Sequence, residues 1–356
     1  MTNTSKFITF VLGAGASFEV GMPTGYELKA KIESSLSFRL EDFRRLGGGD
    51  DQLRDALLQL SQRRGAEITP SDHLSAAKLI KTGMPQAPSI DNFIDSHRSN
   101  AKVAEVGKLA IASEILKAER ASKLHVNPDR IHNRLNAGVV ADTWFNAFFQ
   151  LLTLNAQEKD LPERLKHVQV ITFNYDRTLE HYLFHSIQNY YGCSPARAAD
   201  ILTNLTVFHP YGKVGSLPWQ NSGMAVPFGG DMHSSALIQV STLLRTFTEG
   251  TSESESQINT IRSAVFEAEI LTFLGFAYHE LNLELLFGAA RDSPIRHSKQ
   301  VYGTAMGISE SNKKAIASEL ANLGRYDTSQ IFLRRELSAA QLLPEYSRTL
   351  RIPSAA

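Results

Sequence analysis

The chain has 356 residues, and its 37 Lys and Arg residues equal its 37 Asp and Glu residues, so the formal net charge is zero. A balanced charge argues against general affinity for nucleic acids or anionic membranes, and neither is expected as a partner. The single cysteine, Cys193, excludes a disulfide within the chain and a cysteine zinc site. No apolar run is long enough to span a membrane and no signal peptide is recognisable, so a cytoplasmic protein is expected.

The apolar segment 7–12 predicts a buried parallel strand at the start of the chain. It runs into the small-residue turn Gly13–Ser17, where a pyrophosphate could approach the backbone N–H groups. A strand followed by such a turn indicates a nucleotide site, although glycines needed for packing alone would give the same pattern.

The segment that follows is predicted to be largely helical. Thr24 with Glu27 three residues later is typical of a capping box, so Thr24 is either a helix cap or a cofactor contact. Residues 27–160 carry helical periodicity and few strand signals. We therefore expect a helical insertion or subdomain between the first strand and the next.

From residue 161 the pattern alternates between strands and helices, which predicts a parallel sheet flanked by helices. The fold class is accordingly α/β and Rossmann-like, in a single domain 1–356, with 161–325 completing the core and 326–356 forming a C-terminal tail. The further strands are predicted at 167–173, 205–209, 270–274 and 300–305.

Small or polar residues follow four of these predicted strands. They are Gly13–Ser17, Asn174–Asp176, His209–Gly212 and Gly275–Phe276. Because ligands of open parallel sheets bind outside the carboxyl ends of the strands, these groups are expected to converge on one crevice.

A dehydrogenase is disfavoured by two departures from its dinucleotide motif. Phe18 stands where the third glycine of G-x-G-x-x-G belongs. The acidic residue expected at the end of a second strand is missing, since Glu33 has roughly the right spacing but lies in a predicted helix.

Taken together, these motifs resemble those of the sirtuins, and most closely the bacterial sirtuin-like domain of anti-phage defence systems. The resemblance covers residues 7 to about 305. It is carried, in chain order, by Gly13–Ser17, Gly21–Thr24, Thr172–Asp176, His209 and Leu274–Asn282.

The resemblance implies an NAD+ hydrolase that releases nicotinamide and leaves ADP-ribose. The four zinc cysteines of sirtuins are absent, and Thr24-Gly25-Tyr26 replaces their acidic-Phe-Arg segment, which argues against protein deacylation. NAD is then the substrate and no metal is expected. The family context implies an NAD-depleting defence effector, held in check by homo-oligomerisation, by a co-encoded sensor protein or by a nucleotide signal.

The same resemblance assigns roles to individual residues. Asn174 would hydrogen-bond the ribose or the attacking water, and Asp176 would contact the carboxamide or only cap its helix. His209 would act as the base, since imidazole titrates near neutral pH. Tyr175 and Tyr211 are expected as packing residues or pocket walls rather than as catalytic groups. The cofactor would be bound by Gly13, Ala14, Gly15, Ala16, Ser17, Pro23, Thr24, Tyr175, Gly275, Phe276 and Asn282.

Two other functions stay open on the sequence. The first is a non-hydrolytic regulatory module that binds NAD or ADP-ribose in the same pocket. The second is an ADP-ribosyltransferase that acts on a macromolecule. The choice between NAD and NADP, and the trigger of the activity, also stay open.

Overall fold

A computed structural model of the protein describes residues 7–41, 45–62, 72–127, 134–246, 249, 255–288 and 299–353. Within these residues the chain forms a sheet of six parallel strands, an antiparallel hairpin and many helices. The predicted α/β, Rossmann-like fold class is confirmed.

The described strands are numbered in chain order. They are β1 (Ile8–Leu12), β2 (Phe38–Glu41), β3 (Arg45–Gly48), β4 (Val168–Thr172), β5 (Thr206–Phe208), β6 (Ile270–Leu274), β7 (Gln300–Thr304) and β8 (Ile331–Arg334). Strands β2 and β3 form the hairpin, and the others form the sheet in the order β5-β4-β1-β6-β7-β8. Counted over the six sheet strands alone, this order is 3-2-1-4-5-6, the arrangement of doubly wound dinucleotide-binding folds.

The α-helices of the described residues are also numbered in chain order. They are α1 (Ala14–Phe18), α2 (Gly25–Ser35), α3 (Asp51–Gln62), α4 (Asp72–Gly83), α5 (Ile90–Ser96), α6 (Ala101–Ala121), α7 (Trp144–Thr153), α8 (Leu161–Lys166), α9 (Thr178–Tyr191), α10 (Pro195–Leu202), α11 (Ser234–Ser241), α12 (Glu255–Glu267), α13 (Glu280–Phe287), α14 (Glu310–Gly324) and α15 (Ala339–Glu345).

The centre of the sheet is covered on both faces. Every residue of β1 and β6 is buried, which explains why these strands read as continuous apolar runs rather than as alternating ones. All five predicted strands are present, and no end differs by more than one residue from the predicted one. The switch in winding direction falls between β1 and β6, so the carboxyl ends of these two strands border the crevice.

Two elements were not predicted. The hairpin β2–β3 interrupts the predicted helical segment 27–160, which otherwise consists mainly of helices in its described parts. The predicted tail 326–356 contains β8, which pairs with β7 and widens the sheet. Both were missed because each strand has only four residues, too few for periodicity to show.

A buried ion pair joins the inserted helices to the sheet. Arg177 at the start of α9 and Glu119 on α6 have fully buried side chains. Arg177 Nε donates to Glu119 Oε1 at 3.0 Å, and Nη2 donates to Glu119 Oε2. The loop 226–229 also hydrogen-bonds this ion pair. Arg177 Nη1 donates to Val226 O, and Gly229 N donates to Glu119 Oε2 at 2.9 Å. The insertion is therefore anchored directly beside Asp176.

Candidate functional site

The turns after β1 and β6 touch through their backbones. Gly13 N donates to Leu274 O and Gly15 N donates to Gly275 O, each at 3.0 Å. A Cβ on Gly13 would lie 2.5 Å from Gly275 O. Gly275 has a φ of +56°, and a Cβ there would lie 2.0 Å from Ala16 N. Glycine is required at these positions because the two main chains leave no room for a side chain.

The contact between these two turns, which we call the crossing, uses most of the backbone N–H groups that were predicted to bind a phosphate. Gly13 and Gly15 donate to the neighbouring turn, and Ala16 N donates to Gly13 O at 2.9 Å. Among residues 13–16, only the N–H of Ala14, at the start of α1, has no acceptor in the described part of the chain. The glycines of this turn therefore serve close packing, with one N–H left for a ligand.

A cavity of about 620 Å³ opens at the crossing, and we call it the first cavity. Its wall includes residues from distant parts of the chain that were predicted to form the site. These are Gly13, Ala14, Gly15, Pro23, Thr24, Asn174, Tyr175, Asp176, Gly275, Phe276 and Asn282. Three predicted site residues are not part of this wall, namely Ala16, Ser17 and His209.

Asn174 presents one free polar atom to the first cavity. Its Nδ2 donates to Gly13 O at 3.1 Å and to Ser17 Oγ at 3.0 Å. These two bonds fix the orientation of the amide. No described residue donates a hydrogen bond to Oδ1, so the carbonyl oxygen of this side chain is the acceptor left for a ligand.

Asp176 accepts hydrogen bonds at the start of α9, while its contact with the carboxamide stays a prediction. It lines the first cavity, and its Oδ1 accepts from Thr178 N at 3.1 Å and Thr178 Oγ1 at 2.6 Å at the start of α9. Ser17 Oγ also donates to Oδ1, at 3.2 Å, which keeps the Ser17 hydroxyl behind the cavity wall. Burial raises the pKa of Asp176 above its ordinary value, and the hydrogen bonds from Thr178 oppose that shift.

His209 lies behind Asn174, in a cluster with Glu180 and Lys213. Its Nε2 is 3.0 Å from Glu180 Oε1, and its Nδ1 is 3.4 Å from the main-chain oxygen of Asn174. Lys213 Nζ donates to the same Glu180 oxygen at 2.9 Å. Both ring nitrogens thus face protein groups, and His209 itself is not in the wall of the first cavity.

The Glu180 cluster predicts a pH-dependent stability. Burial alone would raise the pKa of Glu180, but the charges of Lys213 and His209 outweigh it and lower that pKa below the ordinary 4.5. Because the folded pKa is the lower one, the stabilisation is present above about pH 4.5 and is lost as the pH falls below it. We expect Glu180→Gln to cost roughly 3 kcal/mol at pH 7, since it leaves two partly buried donors facing a neutral amide.

The measurement is urea unfolding of wild type and Glu180→Gln at pH 7 and pH 4. The difference in unfolding free energy between the two proteins should shrink at pH 4. An equal difference at both pH values would contradict the assignment.

Thr24 forms the predicted capping box at the mouth of the first cavity. Thr24 Oγ1 accepts from Glu27 N at 3.3 Å, and Glu27 Oε2 accepts from Thr24 N at 2.9 Å. The hydroxyl also donates to Glu27 Oε2, at 3.0 Å. The capping role is therefore confirmed, and a cofactor contact stays a prediction.

Sequence reasoning missed the part of the wall that comes from the insertion. Helix α5 and its cap contribute Ser89, Asp91, Asn92 and Asp95. Asp91 Oδ1 accepts from Tyr175 OH at 2.5 Å. In the sequence, residues 89–93 have only the pattern of a helix start, and no local signal distinguishes Asp91 from a carboxylate on a solvated helix.

The predicted walls Tyr175 and Tyr211 do line the first cavity. Tyr211 OH donates to Asn282 Oδ1 at 2.5 Å, which joins the loop after β5 to α13. Burial raises the pKa of Tyr175 and of Tyr211, so both phenols stay protonated as hydrogen-bond donors at neutral pH.

The first cavity is acidic. Its described lining contains four carboxylates, one histidine, and neither Lys nor Arg; the carboxylates are those of Asp91, Asp95, Asp176 and Glu280, and the histidine is His279. An enclosed surface with this charge favours a cationic ligand group.

A second cavity of about 920 Å³ lies on the other side of the crossing. Its lining includes the exposed apolar side chains of Phe18, Val139 and Met306. Both cavities are lined by Gly15, Thr24, Gly275, Phe276 and Ala277. The two cavities therefore adjoin at the switch point of the sheet.

Two features are absent from the described residues. These residues contain no group of three or more His, Cys, Asp or Glu side chains that could hold a metal ion. They also contain no helix that is both long enough and apolar enough to cross a membrane.

Comparison with known proteins gives a structural match without a sequence match. No protein-family model matches the chain, and no curated protein matches it. Among solved structures, a Sir2 homolog in complex with NAD is similar at 14% sequence identity and a TM-score of 0.41. The alignment covers 98% of this chain and 90% of the Sir2 homolog.

Proposed function

We propose that this protein is an NAD+ glycohydrolase that releases nicotinamide and leaves ADP-ribose. The observation that carries the proposal is the pair of cavities that adjoin at the switch point of the 3-2-1-4-5-6 sheet. Dinucleotides bind across this crevice in doubly wound folds. A dinucleotide has two nucleoside halves joined by a pyrophosphate, so one half would occupy each cavity.

The chemistry of the two cavities favours one orientation of NAD+. The first cavity carries four carboxylates and would receive the positively charged nicotinamide ring. The second cavity, with Phe18, Val139 and Met306 in its wall, would receive the apolar faces of adenine. The pyrophosphate would then lie at Gly13–Gly15, near the free N–H of Ala14.

This orientation brings the reacting bond to Asn174. The bond between C1′ of the ribose and the nicotinamide nitrogen breaks, and its electron pair stays on nicotinamide, which leaves as a neutral molecule. Positive charge develops on the ribose, and nearby carboxylates stabilise it in an enclosed site. Water then bonds to C1′ and its proton passes to solvent or to a carboxylate. Asn174 Oδ1 would accept a hydrogen bond from a ribose hydroxyl or from this water.

His209 takes a different part in this proposal from the one predicted. Its ring nitrogens contact Glu180 and the main-chain oxygen of Asn174, and its side chain is not in the cavity wall. We therefore assign it to the positioning of Asn174. Proton transfer from water is left to groups that line the first cavity.

The test is incubation of the purified protein with NAD+, followed by chromatography of the products. We expect equal amounts of nicotinamide and ADP-ribose. Binding of NAD+ without nicotinamide release would contradict hydrolysis and support a regulatory module. Nicotinamide release with adenine-labelled product attached to a protein or nucleic acid would instead support an ADP-ribosyltransferase.

For the biological role, we propose an NAD-depleting effector of anti-phage defence, supported by the motif resemblance. Unrestrained hydrolysis of NAD+ would harm the producing cell, so the activity would be controlled by self-assembly or by a co-encoded sensor protein. Infected cells that carry the wild-type protein should lose NAD, while cells that carry Asn174→Ala should keep it. Equal NAD levels in both would contradict the role.

A further inference from the structure

The carboxylate of Asp91 reaches the first cavity from the inserted helix α5. It stands beside the Asn174-Tyr175-Asp176 segment, because Tyr175 OH donates to Asp91 Oδ1 at 2.5 Å. The two residues are 84 positions apart in the chain. The insertion thus supplies one acidic wall of a cavity whose other walls come from the sheet.

Asp91 has no cationic partner in an ion pair within the described residues. The described lining of the first cavity contains neither Lys nor Arg, and His279 is the single basic group among these residues. Burial raises the pKa of Asp91, while the hydrogen bond from Tyr175 and the charge of His279 oppose that shift. An enclosed carboxylate without a paired cation is costly to keep ionised, and a cationic ligand would remove that cost.

Tyr175 fixes where this charge lies. Its hydroxyl donates to Oδ1 and so holds the carboxylate beside the Asn174-Tyr175-Asp176 segment. Asp91 and Asn174 both line the first cavity, so a ligand bound there would lie near both side chains.

From these contacts we infer that Asp91 is a specificity-determining residue, which selects the oxidised, positively charged nicotinamide ring over the neutral dihydronicotinamide ring. The inference rests on the proposed function, because it presumes that the nicotinamide half of NAD enters the first cavity. It assigns the discrimination to the insertion rather than to the motifs at the strand ends.

The test compares the dissociation constants of carba-NAD+ and its dihydro form at low ionic strength. Carba-NAD+ keeps the pyridinium charge but has a cyclopentane in place of the ribose ring, so binding can be measured without cleavage. Wild type should bind the oxidised form about tenfold more tightly, and Asp91→Asn should lose most of that preference. Asp91→Asn keeps the shape of the side chain, and a thermal melt checks its fold.

Two further variants sharpen the result. Tyr175→Phe removes the hydrogen bond but leaves the carboxylate, so it should keep a preference for the oxidised form. Asp142→Asn removes an acidic residue that lines only the second cavity, and should leave the preference unchanged.

The outcomes separate this inference from the proposed function. A folded Asp91→Asn that keeps the preference for the oxidised form would overturn the role of Asp91 but not the proposed function. An equal loss of that preference in Asp142→Asn would have the same consequence. Equal binding of the two forms by wild type would do the same. Failure of wild type to bind either form would overturn the proposed function and the inference with it.

Discussion

Asn174→Ala is expected to reduce the rate of nicotinamide release by at least ~100-fold, the range found when one preorganised catalytic hydrogen bond is removed. The substitution removes Oδ1, the side-chain atom that faces the first cavity without a partner among the described residues. It also removes the Nδ2 bonds to Gly13 O and Ser17 Oγ, so part of any loss could come from the fold.

A matched control separates the two causes. Asn204 at the end of α10 also donates two hydrogen bonds through Nδ2, to the main-chain oxygens of Asp200 and Ile201, and does not line either cavity. Asn204→Ala should therefore keep the rate of nicotinamide release. Initial rates are measured at saturating NAD+, with melting temperatures recorded for both variants. Near wild-type release by Asn174→Ala would exclude Asn174 from the chemistry.

Glu119→Gln is expected to destabilise the fold by about 3–5 kcal/mol, the usual cost of removing one charge from a buried ion pair. The Arg177 guanidinium is fully buried and would keep its charge opposite a neutral amide. Glu119 also accepts hydrogen bonds from Arg177 N and Gly229 N, so its loss disturbs three segments at once. Because Arg177 directly follows Asp176, we expect the wall of the first cavity to become less ordered when the fold is destabilised.

Urea unfolding at pH 7 measures this effect. Glu163, in an exposed ion pair with Lys166, provides the comparison, and Glu163→Gln should leave the unfolding midpoint unchanged. A Glu119→Gln variant as stable as wild type would show that the insertion is held by its apolar contacts alone.

Much of the site was predictable because its residues follow strands directly. Gly13, Asn174 and Gly275 each lie one or two residues beyond a strand, and parallel strands bring those positions to one edge of the sheet. His209 shows the limit of this reasoning. It also follows a strand, but its ring contacts Glu180 on α9, to which Lys213 in the next loop also donates, and His209 does not line the first cavity.

The sequence by itself determined the fold class, the positions of the first five sheet strands and the small-residue turns at the crevice. These follow from local apolar runs and from the close approach that only glycine permits. The tertiary structure alone decided that Asp91 faces Tyr175, that His209 lies behind Asn174, and that three of the N–H groups of the first turn are used internally. The physical reason is that the direction of a side chain or N–H group depends on partners which packing brings from distant segments, and no local pattern records those partners.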